Sequence, residues 1–149
     1  AIKHFVEYKE GDIFLGIDYG SKVIGLALYK YKIDPFPTPY GKIAFKSTEL
    51  FYNELETILN DEVVDYIVFG LPLLTDGSET EKTKEHREVA AQLSNTFPNI
   101  PVILQDETLT TFEAEQRMLN SAQYNFKIDP KKIDSLSASI ILEDFFKLL

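Results

Sequence analysis

The stretch Ile13-Phe-Leu-Gly-Ile-Asp-Tyr-Gly-Ser-Lys-Val-Ile-Gly-Leu-Ala-Leu-Tyr-Lys-Tyr31 decides the reading of this chain. It holds two apolar runs, Ile13 to Tyr19 and Val23 to Tyr31, joined by a short link containing Gly20 and Ser21. Runs of this length and composition read as strands, and so short a link makes them an antiparallel hairpin. The first run is apolar on both faces, as in a central, buried strand. Asp18 near its end is therefore out of place. An ionised carboxylate in such a strand is costly unless it is paired or binds a cation. The plainer reading is an aspartate that starts the Gly20-Ser21 turn.

Outward from this hairpin, Tyr40 to Phe45 reads as a third strand, after a loop Asp34-Pro-Phe-Pro-Thr-Pro39 rich in proline. The apolar period then becomes helical through Leu50, Phe51, Leu55, Ile58 and Leu59. Tyr66 to Leu73 is a fourth strand. Ser78-Glu-Thr-Glu81 has the form of a capping box, opening a helix that ends near Thr96, before Pro98 and Pro101. Val102 to Leu104 is a fifth strand. Thr110-Thr-Phe-Glu113 has the form of a second capping box, and Asp129-Pro130 reads as the cap of a last helix running to the C-terminus. The order βββ-α-β-α-β-α-α predicts an α/β fold: a five-stranded mixed sheet, three antiparallel strands followed by parallel ones, with helices on its faces.

The chain has 149 residues, the size of one domain. We expect residues 1–12 to be an N-terminal extension, trimmed or tagged because no Met precedes Ala1, and residues 13–149 to be a single domain. No apolar run approaches the ~18 residues of a membrane span, and the start lacks the pattern of a signal peptide. There are no cysteines, which removes disulfides, thiolate zinc sites and cysteine nucleophiles, and suits a cytoplasmic protein. The formal charge of −9 argues against non-specific binding to nucleic acid. The charge is uneven: residues 1–48 hold seven Lys against five acids, while the rest holds eight Lys or Arg against nineteen acids.

Two further acidic places stand out. Asp106-Glu107 follows the fifth strand, and open α/β sheets gather their ligands at the carboxyl ends of strands. Only one of the two neighbours can face a site there, and a solvated pair before a helix is the plainer reading. Asp134 shares a helical face with Ala138, Ile141 and Phe145; its alternative role is a first-turn carboxylate favoured by the helix dipole. Together these acids could converge at one edge of the sheet. Oxygen ligands of this kind suit Mg²⁺ or Mn²⁺ and phosphodiester hydrolysis. His4 and His86 are isolated and read as surface residues. No dinucleotide fingerprint or P-loop is present.

Four segments resemble the YqgF family, also called RuvX, of ribonuclease H-like nucleases. They are Asp18-Tyr-Gly-Ser-Lys22 with Ile24-Gly-Leu-Ala27, Gly70-Leu-Pro-Leu-Leu-Thr-Asp-Gly-Ser78, Asp106-Glu107 with Leu109-Thr-Thr111, and Asp134 with Ser137-Ala138. Their order and spacing cover almost all of the chain after residue 12. The resemblance implies a ribonuclease H-like fold and a catalytic, metal-binding set of Asp18, Glu107 and Asp134, with Glu107 rather than Asp106 as the ligand. It implies Mg²⁺ or Mn²⁺ as cofactor and maturation of the 5′ end of pre-16S ribosomal RNA. Holliday-junction resolution on branched DNA is the alternative activity, and the ribosomal small-subunit particle is an expected partner. Ser21, Lys22, Arg87, Lys131 and Lys132 are the candidate substrate contacts, with Lys127 nearby. The sequence departs from the family at Thr108, where Arg is usual, and at Val23, where a basic residue is usual; both changes remove positive charge. Two other classes stay open. Gly16-Ile-Asp-Tyr-Gly-Ser21 also resembles the phosphate loop of sugar kinases and actin-like ATPases, which are much larger. A non-catalytic RNA-binding assembly factor would keep the fold without the cleavage.

Overall fold

A computed structural model describes residues 7–148. The strands are β1 (Ile13–Asp18), β2 (Val23–Lys30), β3 (Thr38–Ala44), β4 (Tyr66–Leu71) and β5 (Val102–Asp106). The helices are α1 (Thr48–Asp61), α2 (Glu81–Thr96), α3 (Thr110–Leu119) and α4 (Ile133–Phe146). The sheet order is β3-β2-β1-β4-β5. β1 pairs antiparallel with β2 and parallel with β4, and β4 pairs parallel with β5. The expected α/β architecture, a mixed five-stranded sheet with helices on both faces, is the one observed.

Side-chain alternation divides the core between the two faces. Leu15 and Ile17 of β1 join Ile67 and Phe69 of β4 on one face, under Phe51, Leu55 and Leu59 of α1 and Ala90 and Leu93 of α2. Phe14 and Val68 point the other way, against Ala138, Ile141 and Leu142 of α4. α3 lies outside α4, packed through Ala114, Met118 and Ile140. α4 is buried through most of its length, from Ser135 to Glu143. From Ser135 to Leu142 its residues are correspondingly apolar or small on every face. Of the expected extension, residues 1–6 lie outside the described residues, while Tyr8 packs edge-on against Phe14 and Tyr66.

Four elements start differently from expectation. β3 begins at Thr38 and includes Pro39, which the expected loop had claimed. β3 is an edge strand, where a missing N–H is tolerated. The capping box of α2 is Thr80 with Thr83, not Ser78 with Glu81. The Ser78 hydroxyl is taken by Asp76 Oδ1, at 2.6 Å, in the preceding turn. α3 has no side-chain cap: Leu109 precedes it at φ 62°, and Thr110 is its first residue. Asp129-Pro130 shapes a turn, with Lys131 N–H donating to Asp129 Oδ1 at 2.9 Å, and α4 starts three residues later than expected, at Ile133. Among the described residues no helix is long and apolar enough to cross a membrane.

Candidate active site

Asp18 ends β1, and its parity with Phe14 places it on the α4 face of the sheet. Glu107 follows β5 directly, with its N–H donating to Leu71 O at 3.0 Å. That bond extends the β4–β5 ladder and carries Glu107 back over β4. There it meets Gly70. A Cβ on Gly70 would lie 2.8 Å from Glu107 Oε2 and 2.6 Å from Ile141 Cδ1. Only glycine leaves room for the carboxyl at this point. Gly70 neighbours the end of β1, since Ile17 pairs with Phe69. The Asp18 and Glu107 carboxyl groups therefore approach within hydrogen-bonding range.

Asp134 arrives from above. Gly25 is the partner of Asp18 across β1 and β2, and the backbone of Asp134 rests on Gly25 where a Cβ would be. Asp134 is thus on the same sheet face as Asp18, and its charge acts on Asp18. The three acids form a row over the sheet rather than a closed cluster. Among the described residues no three His, Asp or Glu side chains stand together as a preformed ion site.

Burial is the main cause of the electrostatic state of the row. It raises Asp18 to about 6; Asp134 raises it further, while the hydrogen bond with Glu107 and the charge of Lys82 oppose this. Burial and the charge of Asp18 raise Glu107 to about 9. The pair holds a proton near neutral pH because two adjacent carboxylates resist joint ionisation. Burial also raises Asp134, against the pull of Lys42, which pairs with Gly25 from β3.

The cavity at the pair has a volume of ≈ 210 Å³ and is lined by Asp18, Glu107, Lys82, Leu73 and residues 108–111, among others. Asp106 lies outside this lining; its Oδ1 accepts from the N–H of Thr108, at 2.8 Å, and from the Thr108 hydroxyl. Of the two neighbours, Glu107 is the one that lines the cavity. The expected phosphate contacts are placed differently. Ser21 and Lys22 are exposed on the β1–β2 turn, and Lys131 and Lys132 are exposed before α4. Lys127 is likewise exposed. Arg87 binds Glu79 through two bonds of 2.8 and 3.0 Å, beside a hollow formed by α2 and β5. None of these six residues lines the cavity.

Lys82 and Lys42 were missed by sequence reasoning. Neither sits in a motif; a register and a helix start bring them to the acids. His86, expected at the surface, is only 3% exposed. Its Nε2 lies 3.0 Å from Tyr19 O and its Nδ1 2.8 Å from Lys82 O. Burial lowers its pKa, and the ring ties α2 to the end of β1. His4 lies outside the described residues.

Two adjacent carboxyl groups, a third acid in electrostatic reach and the absence of thiolate suit a hard divalent cation. The donor set fits Mg²⁺ or Mn²⁺ better than a soft metal.

Comparisons with known proteins bear on the family and the fold. Residues 12–148 match the model of the RuvX family, described as Holliday junction resolvase. A Haemophilus ducreyi protein named "Putative pre-16S rRNA nuclease" is 38% identical over 134 residues, covering 89% of this chain and 94% of its own. A protein of the same name from Maridesulfovibrio salexigens is 36% identical, covering 87% and 93%. In fold, the chain is similar to Thermus thermophilus RuvC solved with a Holliday junction substrate, at TM-score 0.57 and 11% identity over 92% of this chain and 96% of that one. It is similar also to the Fowlpox virus resolvase solved with Holliday junction DNA, at TM-score 0.56 and 14% identity over 91% and 96%. With a family match over almost its whole length, an acid row at the strand ends and the mixed sheet beneath it, the chain belongs to the RuvX family.

Proposed function

We propose that this protein is a metal-dependent nuclease that hydrolyses nucleic-acid phosphodiesters, with pre-16S ribosomal RNA as its substrate. The observation that carries the reading is the half-buried Asp18–Glu107 pair lining one cavity, with Asp134 held over Gly25 on the same sheet face. Carboxyls buried together without full neutralisation are unfavourable in the free protein and favourable once a cation joins them.

Asp18, Glu107 and Asp134 would hold Mg²⁺ or Mn²⁺. Such ions supply a nucleophile at neutral pH and charge stabilisation at the phosphorus. The chain's own residues do the rest. Gly70 and Gly25 set how near Glu107 and Asp134 come to Asp18. The shared proton must leave the pair before both carboxylates can act as ligands. Lys82 favours that release, because its charge stabilises both ionised acids.

The choice of RNA rests on the relatives named for pre-16S rRNA at 36–38% identity. The family description supports a second reading, resolution of branched DNA. With a net charge of −9, the protein gains little from naked nucleic acid. A ribosomal small-subunit particle that presents the RNA end would compensate, and with that partner the protein would work in the cytoplasm. We read residues 13–149 as the single nuclease domain.

The test uses labelled RNA spanning the 5′ end of the precursor and a four-way DNA junction, each with Mg²⁺, Mn²⁺ or EDTA. Metal-dependent RNA cleavage by wild type, absent in Asp18→Asn, is expected. Structure-selective cutting of the junction with intact RNA would move the assignment to the second reading.

A further inference from the structure

The cavity beside the acid pair has a second wall. Among the described residues, Lys82 is its only cationic lining residue. Lys82 is exposed on the first turn of α2, and that end of the helix is fastened to the sheet. The Thr83 hydroxyl donates to Pro72 O, and His86, one turn later, reaches Tyr19 O next to Asp18. The start of α3 contributes the rest of that wall through Leu109, Thr110 and Thr111. Its first N–H to meet an α-helical acceptor is that of Glu113, bonded to Leu109 O at 2.9 Å. The N–H groups of Thr111 and Phe112 open the helix without such partners. Thr110 is 2% exposed, and its Oγ1 is buried with no hydrogen-bond partner among the described residues.

A buried hydroxyl without a partner is rare and calls for an explanation. Lys82, Thr110 with its unpartnered hydroxyl, and the first turn of α3 line one cavity. That donor set suits an anion with several oxygens. We propose that Lys82, the Thr110 hydroxyl and the opening N–H groups of α3 form a seat for one phosphate of the nucleic-acid strand. The inference rests on the nuclease reading and deepens it. It assigns phosphate recognition to residues other than the expected Lys22, Arg87, Lys131 and Lys132. It also supplies from α2 the positive charge that Thr108 does not provide. The rival account makes Lys82 only a counter-charge for the two carboxyls and Thr110 only a packing residue.

The experiment measures binding of a labelled single-stranded RNA oligonucleotide in EDTA over a range of KCl concentrations, with melting temperatures in parallel. Lys82→Met should weaken binding on the order of three- to tenfold and flatten the slope of log K against log salt by about 0.7. Lys82→Arg should keep the wild-type slope. Lys84→Met, which removes one charge from an exposed position of the same helix, controls for net charge. Thr110→Val should weaken RNA binding with no loss of melting temperature, and Thr110→Ser should restore binding. A packing role for Thr110 predicts the reverse: a lower melting temperature with unchanged affinity. If Lys82→Met matches Lys84→Met in slope and Thr110→Val binds as wild type does, while wild type still cleaves RNA with Mg²⁺, the seat is wrong and the nuclease reading stands. If wild type neither binds nor cuts RNA or the junction, both are wrong.

Discussion

The backbone carbonyl of Asp134 occupies the place where a side chain on Gly25 would begin. Gly25 is also the strand partner of Asp18. One small residue therefore sets the distance between α4 and the end of β1, and with it the position of the third acid. The obstacle at Gly25 is backbone, which cannot swing aside.

Gly25→Ala should displace the start of α4. Overpacking against rigid backbone costs about 3 kcal/mol or more, so a large fall in melting temperature is expected. A melting temperature equal to that of wild type would show that α4 does not sit this close in solution.

Gly70→Ala should act differently. Its Cβ would meet the ends of two side chains, Glu107 and Ile141, which can shift. We expect roughly 1–3 kcal/mol of destabilisation and a large loss of cleavage, because Glu107 is pushed from Asp18. Thermal melts and cleavage rates on the same preparation separate the two effects. Full activity would mean that Glu107 need not stay over Gly70.

Asp18→Asn keeps the shape and removes one charge from the pair. Cleavage should vanish, while the metal-free protein melts at the same or a higher temperature, because repulsion within the pair is relieved. A severe drop in melting temperature would favour a structural role for Asp18.

The pair also predicts a pH dependence. The folded pKa values of about 6 for Asp18 and about 9 for Glu107 lie above the ordinary carboxyl range near 4. The folded chain therefore binds more protons than the unfolded chain. This contribution favours folding most at about pH 4 and below, and is lost progressively as pH rises to about 9. In EDTA, the stability of wild type relative to Asp18→Asn should fall across that range. Mg²⁺ should stabilise wild type more near pH 8 than near pH 5, because the ligands must be ionised. A Mg²⁺ effect independent of pH would exclude the pair as ligands.

Arg117 bridges Glu113, at 3.0 Å, and the buried Glu143, at 2.7 Å. Arg117→Met strands Glu143 without a counter-charge, at a cost of about 3–5 kcal/mol. Chemical denaturation should show that loss, and the double variant with Glu143→Gln should recover part of it. Additive losses would mean that the two side chains act independently.

Thr108→Arg adds charge at the cavity rim but breaks the tie to Asp106. RNA affinity should rise, with a salt slope steeper by about 0.7, and stability should fall by roughly 1 kcal/mol. An unchanged slope would show that residue 108 does not reach a phosphate.

Hydrophobic period was enough to order the elements and to assign strands and helices, because a half-buried strand and an amphipathic helix each leave a repeat in local sequence. Asp18 stood out for the same local reason: it is an acid inside an apolar run. Element starts were less legible, as at Ser78 and Thr110, since several nearby hydroxyls can satisfy one cap and the turn before the helix decides which is free. The pairing of Asp18 with Glu107 required the register of β4 with both its neighbours, and the place of Asp134 required the contact of α4 with Gly25. Lys82, Lys42 and the tie made by His86 carry no sequence signal at all. Their roles arise where residues distant along the chain meet, and charge acts through space rather than along the backbone.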